Sequence, residues 1–137
     1  MEKRLFFLLN MSQHRLYKHV DQRSEKDLGV TIKQLAALYL LAKNEGCQLK
    51  AMCDGLGLNN SAVTGLTQRL EKNALIRREA CSIDRRASQL YLTEKGQSKI
   101  EAAAPLLQEM NEAIQGEFSD EEITIVTRFL NHLMERF

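Results

Sequence analysis

Asp84-Arg85-Arg86 stands between two short strand-like runs, Ile76 to Cys81 and Ser88 to Leu92, at the tip of an expected hairpin. Such a tip is solvated, so hydrophobic burial cannot be the reason for two adjacent arginines. Guanidinium groups held outward suit phosphate oxygens and the negative potential of a narrow minor groove. Asp84 works against phosphate unless it pairs, so its expected role is to hold the turn or one guanidinium by a bidentate contact. Arg77 and Arg78 on the first run alternate faces. One can reach a phosphate backbone while the other pairs with Asp84.

A second group lies just upstream. Residues 60 to 72 read as a helix with Val63, Leu66 and Leu70 on its apolar side. Asn60, Ser61, Thr64, Thr67 and Gln68 are expected on its outer side, with Arg69 at the edge. These mostly short hydrogen-bonding side chains let a helix enter a major groove and reach base edges or phosphates. A solvated polar face is the plainer reading of any one such helix. The basic hairpin that follows tilts the balance toward double-stranded DNA. Catalytic patterns are absent: the sequence has no G-x-S-x-G, no phosphate-binding glycine loop and no histidine in a recognised spacing from a nucleophile.

Metal and cofactor chemistry finds no support either. Cys47, Cys53 and Cys81 form no C-x-x-C, and His14, His19 and His132 form no ligand pair, so reduced thiols and no bound metal or cofactor are expected.

The elements that must position these groups follow from periodicity and caps. Residues 2 to 27 read as a helix stopped by Gly29. Thr31 opens the next, with Gln34 in capping-box position, and Asn44-Glu45-Gly46 ends it. Lys50 to Leu56 is a short helix. Gly57-Leu58 then leads to Asn59 or Asn60, either of which can cap the polar helix. Two short helices around a tight glycine turn form a helix-turn-helix, and the hairpin adds a wing. Met52, Leu56, Leu58, Val63, Leu66 and Leu70 can share its core, with Cys53 where two helices cross. Asn73 is expected to take the left-handed conformation after the polar helix.

Thr93 caps a long helix toward Phe118 with a heptad-like seam of Ile100, Ala103, Leu107, Met110 and Ile114, kinked at Pro105. Ser119 to Glu122 is a second capping box. It opens a last helix with Ile123, Val126, Leu130, Leu133 and Phe137 on one face. The terminal helices carry more apolar surface than a small centre can cover, which favours a homodimer with interlocking termini.

The 137 residues suit one domain, with 44% hydrophobic and 27% charged residues. No apolar run reaches membrane-spanning length, and Leu5 to Leu9 is too short for a signal-peptide core, so a soluble cytoplasmic protein without membrane contact is expected. The net charge of +1 hides a split. Residues 1–47 and 48–96 each hold eight Lys/Arg and five Asp/Glu, whereas residues 97–137 hold three and eight. The basic character belongs to the first two-thirds, as an electrostatic face would require.

The stretch SAVTGLTQRLEKNALIRREACSIDRRASQLYLTEKG, residues 61–96, resembles the recognition helix and wing of MarR-family transcription regulators. Ser61, Val63, Thr64, Leu66, Arg69, Leu70, Glu71, Leu75 and Ile76 match the family's helix pattern. Asp84 and Arg86 match its D-x-R, and Leu92, Thr93 and Gly96 match its L-T-x-x-G. GVTIKQLAALYLLA, residues 29–42, is similar to the family's second helix. Two departures are Ala74, where the family usually has Gly, and Gly65, where many members carry Arg.

The resemblance implies a mainly α winged helix-turn-helix protein with a small antiparallel β-hairpin wing and long terminal dimerisation helices. The single domain 1–137 would place a DNA-binding lobe at 31–96 and dimerisation helices at 1–28 and 97–137. It further implies a dimeric repressor on a pseudo-palindromic operator, released by a small aromatic or phenolic effector. Arg86 would enter the minor groove and Arg85 would meet phosphate. His14, Tyr17, His19 and Tyr39 can line an effector pocket near the dimer junction, or serve only as surface and core residues.

Two other readings stand beside this one. A thiol-redox regulator would use Cys47 or Cys81, since the peroxide-sensing members carry their reactive cysteine in the first helix and residues 1–46 hold none. A winged-helix protein-interaction module would not need the wing arginines or the polar helix face.

Overall fold

The computed structural model describes residues 3–81, 83 and 87–137; Asp84, Arg85 and Arg86 lie outside the described residues. The element order is α1 (Leu5–Leu28), α2 (Ile32–Lys43), α3 (Leu49–Leu56), α4 (Asn60–Lys72), β1 (Ile76–Ala80), β2 (Ser88–Leu92), α5 (Glu94–Gln115) and α6 (Asp120–Arg136). This is a winged helix-turn-helix. Two compact units divide the chain, Met1–Ala104 and Pro105–Phe137, and α5 runs through the division.

The first unit is organised by side chains that end helices. Gly29 closes α1 in the left-handed region at φ 73°, donating its amide to Glu25. Asp21 Oδ1 then accepts the Ile32 amide at 2.7 Å, and the buried Ser24 hydroxyl donates to the Val30 carbonyl at 2.6 Å. Both tie α1 to the start of α2. Thr31 and Gln34 form the expected reciprocal capping box. Leu35, Ala37, Leu38 and Leu41 bury the inner face of α2, and Met52, Val63, Leu66, Leu70, Leu75, Ile76 and Leu90 complete the core around it.

β1 and β2 pair antiparallel with Ile76 opposite Leu92 and Ala80 opposite Ser88. The Cys81 amide donates to the Ala87 carbonyl at 3.0 Å, which extends the ladder by one bond. Cys47 adds an isolated bridge to Leu90, a third edge that the sequence pattern did not indicate. Gly96 is dictated by close approach: a Cβ there would lie 2.2 Å from the Leu75 carbonyl oxygen. Thr93 makes that junction firm, its hydroxyl donating to the Ala74 carbonyl at 2.7 Å and accepting the Gly96 amide at 3.0 Å.

The left-handed residue after α4 is Ala74, at φ 59°, and Asn73 stays at φ −88°, contrary to the expectation for Asn73. The reason is the Schellman pattern: Leu75 donates to the Leu70 carbonyl and Ala74 to that of Glu71, both at 2.9 Å. Leu70 and Leu75, the accompanying apolar pair, are both buried. Their burial puts the left-handed turn on the residue between Asn73 and Leu75.

In the second unit, Ser119 and Glu122 form the expected capping box of α6. No residue of α6 is buried, and Val126, Phe129 and Leu130 are exposed. Along α5 the expected seam holds in part. Ala103 and Met110 are buried and Leu107 half-buried, while Ile114 is exposed and Leu106 is buried instead.

Candidate nucleic-acid interface

α3 and α4 are joined by a turn that begins at Gly57, left-handed at φ 65°. Asn59 is the cap: its Oδ1 accepts the Ala62 amide at 2.8 Å, so the Asn59 side chain is committed to the backbone. Asn60 is the first helical residue, and its Oδ1 lies 3.8 Å from the Cys53 Sγ, a weak thiol contact where α3 and α4 meet. Asn60, Ser61, Gln68 and Arg69 are exposed and Thr64 is half-buried. They form the polar outer side expected of α4.

Thr67 does not belong to that side. It is fully buried, and its hydroxyl donates to the Thr64 carbonyl at 3.1 Å. Positions 63, 66, 67 and 70 follow helical spacing, so Thr67 stands in the apolar stripe with its hydroxyl satisfied inside the helix. Arg69 lines a groove of about 370 Å³ together with Asp21, Lys33, Leu58 and Leu66. That puts Arg69 at the α1–α2 edge of the helix.

The two arginines of β1 face opposite ways, as alternation requires. Arg77 pairs with Glu79 and stacks over the Tyr91 ring at 4.5 Å from its centroid. Arg78 pairs with Glu71 near the end of α4, at 2.7 Å from Nη2 and 2.9 Å from Nε. The expected Asp84 partner falls outside the described residues, as do the roles given to Arg85 and Arg86. Glu79 has no role in the sequence reading, and Glu71 enters it only as a match to the family's helix pattern, with no partner assigned. The Glu71–Arg78 pair joins a helix to a strand across a turn, a spacing without a local sequence signature.

The four residues expected at an effector pocket are not gathered together. His14 and Tyr17 line a cleft of about 570 Å³ along α1 with Lys18, Asp21 and Lys33. His19 is exposed and outside that lining, while the Tyr39 hydroxyl donates to the Ile100 carbonyl at 3.3 Å, a packing role. Lys33 lines this cleft and the Arg69 groove alike, and sequence reasoning passed it over.

All three cysteines are free and half-buried. Burial is the chief influence on Cys47 and raises its thiol pKa, against a smaller opposing effect of its backbone hydrogen bond. Among the described residues no group of three or more His, Cys, Asp or Glu is placed to hold a metal ion. No helix among them is long and apolar enough to cross a membrane.

Comparison with known proteins agrees with this geometry. Residues 30–88 match the model of the MarR family. The organic hydroperoxide resistance transcriptional regulator of Bacillus subtilis is 33% identical over 96 residues, which span 70% of this chain and 65% of that protein. The regulator MgrA of Staphylococcus aureus is 24% identical over 139 residues, covering 100% of this chain and 92% of MgrA. Among solved structures, MepR of S. aureus in complex with DNA superposes with a TM-score of 0.88 at 25% identity, over 99% of this chain and 100% of that one. These relatives are regulators and not enzymes. On its matched domain, its relatives and its winged helix, the chain belongs to the MarR family of transcription regulators.

Proposed function

We propose that this chain acts as a dimeric repressor that binds a pseudo-palindromic operator in double-stranded DNA and leaves it when a small aromatic or phenolic effector binds. The observation that carries the DNA reading is the outer side of α4. Asn60, Ser61 and Gln68 stand free of the core on a helix whose other side is closed by Val63, Leu66, Thr67 and Leu70. A helix buried on one side and polar on the other can lie in a major groove without disturbing its own packing. The DNA complex of MepR supports the same reading.

The dimer is supported by exposed apolar surface at both ends of the chain. Leu5, Phe6 and Phe7 on α1, and Val126, Phe129 and Leu130 on α6, are all exposed. Pairing such helices with a second copy removes that surface from water and presents two α4 helices to two half-sites. In the wing, Arg86 enters the minor groove, Arg85 meets phosphate and Asp84 holds the turn. The cleft with His14, Tyr17, Lys18 and Lys33 suits a small aromatic anion, offering a ring to stack on and cations for its charge.

One observation favours a thiol-redox variant, namely the hydroperoxide-resistance role named for the B. subtilis relative. The raised pKa of Cys47 works against it, because the thiolate is the reactive form. Mass spectrometry after mild peroxide tests the variant; unmodified Cys47 and Cys81 dispose of it.

The experiment on the main reading is a mobility-shift titration of inverted repeats from the DNA next to the gene. Arg86→Ala is expected to weaken binding about tenfold or more while leaving the dimer folded. Equal binding by the variant and the parent overturns the wing assignment.

A further inference from the structure

A cleft of about 200 Å³ lies between the start of α3 and the wing, lined by Gln48, Leu49, Lys50, Arg78, Ala87 and Ser88. Among the described residues two cations from different elements line it and no carboxylate does. Lys50 is exposed at the beginning of α3. Arg78 rises from β1, and its guanidinium is held by Glu71 of α4 through two nitrogens. The Ser88 hydroxyl adds a neutral donor. Lysine, arginine and hydroxyl around a small opening form a set of donors for a phosphate oxygen.

Glu71 gives the cleft its particular character. Its side chain and that of Arg78 are each about one-third exposed (32% and 35%), so the pair sits at the surface and a phosphate can compete for the guanidinium. Exposed ion pairs are weak, and exchanging one carboxylate for one phosphate oxygen keeps the arginine satisfied throughout. Without DNA, the carboxylate holds Arg78 in one orientation and cancels its charge.

We propose that Lys50, Arg78 and Ser88 form a seat for a DNA backbone phosphate, and that Glu71 is an internal competitor for Arg78 that sets how strongly the seat is used. The inference rests on the DNA-binding reading and assigns Lys50 and Ser88 to the interface and an opposing role to Glu71. Glu71 thereby limits sequence-independent affinity, because the phosphate contact carries no base information.

The test uses the full chain and a labelled random-sequence duplex of about 30 base pairs, long enough for two half-sites, followed by fluorescence anisotropy over a salt series. Glu71→Gln is expected to tighten binding about two- to fivefold, the range of an exposed ion pair, and to steepen the log–log salt slope by about 0.9. Lys50→Ala is expected to weaken binding and flatten the slope by a similar amount. In an Arg78→Ala background, Glu71→Gln is expected to do nothing. Tightening that survives in that background overturns the competitor role, because it then reflects only the loss of one negative charge. A Glu71→Gln protein with the parent's affinity and slope overturns it as well. A parent that fails to bind the duplex even at low salt overturns the DNA-binding reading itself, an outcome separate from a binding parent with silent variants.

Discussion

Between Ile32 and Leu92 every large apolar side chain among the described residues, apart from Ile83 in the wing loop, is buried or half-buried. Helix α6 is the reverse, with no buried residue and with Ile125, Val126, Phe129, Leu130 and Met134 all exposed. Hydropathy does not separate the two regions, since both carry apolar residues at helical spacing. The difference is where the complementary surface comes from. The central residues meet partners supplied by neighbouring elements of the same chain, with α3 packed against both α2 and α4 and the hairpin against α2, α3 and α4. The stripe on α6 has no such cover, and an amphipathic helix in water holds its place by packing that stripe.

The contrast breaks most sharply if disrupting the apolar surface on each side has the same consequence. Leu70 is fully buried in the centre. Leu70→Ala should cost about 3 kcal/mol by chemical denaturation and leave the oligomeric state of the folded fraction unchanged. The pair Val126→Glu and Leu130→Glu should do the opposite: sedimentation should find monomer, and operator binding should collapse because half-sites are no longer linked. A dimer that persists with both glutamates in place sinks the assignment of α6 to dimerisation.

The same contrast explains which parts of the molecule could be read in its sequence. Helix starts at Thr31 and Ser119 were legible, and that of α4 to within the pair Asn59 and Asn60, because each cap is a bond between a side chain and backbone three residues away. So was the α4–wing order, with the hairpin bounds correct to within a residue. Thr67 was misread because a hydroxyl scores as polar, yet here it bonds to Thr64 inside the stripe. Ala74 was misread because asparagine is the better left-handed residue locally, whereas burial of Leu70 and Leu75 decides the turn from a distance. Glu71–Arg78 and Cys47–Leu90 escaped for one reason: each joins elements brought together only by the packed core. In the candidate site, the exposed side of α4 was legible from periodicity, whereas Lys33, Lys50 and Glu71 required the fold.

Ala74 sharpens the comparison at intermediate size, since it is a strained residue in the well-packed region. A left-handed alanine is held there by the two bonds of the Schellman turn and by Thr93, whose hydroxyl donates to its carbonyl. Ala74→Gly should remove the strain at no contact cost, offset partly by the greater freedom of glycine in the unfolded chain. The expected gain is about 1 kcal/mol in denaturant unfolding with an unchanged slope. A loss of stability would mean that the alanine methyl contributes packing that outweighs the backbone strain.

The smallest expected effect compares the two capping boxes, one in each region. Thr31 is closed by Gln34, which carries no titrating group, and Ser119 by Glu122, which does. The Ser119 amide, and then its hydroxyl, hold the Glu122 carboxyl below its ordinary value of 4.5. A depressed carboxyl contributes stability above its unfolded pKa and loses it as pH falls through the lower folded value. The first turn of α6 should therefore loosen below pH 4.5 while that of α2 does not respond. Amide shifts of Ser119 and Thr31, followed by NMR from neutral pH downward, read the two boxes side by side. Glu122→Gln should make Ser119 as indifferent to acid as Thr31, because the amide oxygen can accept the same bond without titrating. Should both amides move together in the parent, the acid response belongs to the protein as a whole and not to the cap. The fully exposed position of Glu122 keeps the effect local, which is why it ranks below the strain at Ala74 and far below the core at Leu70.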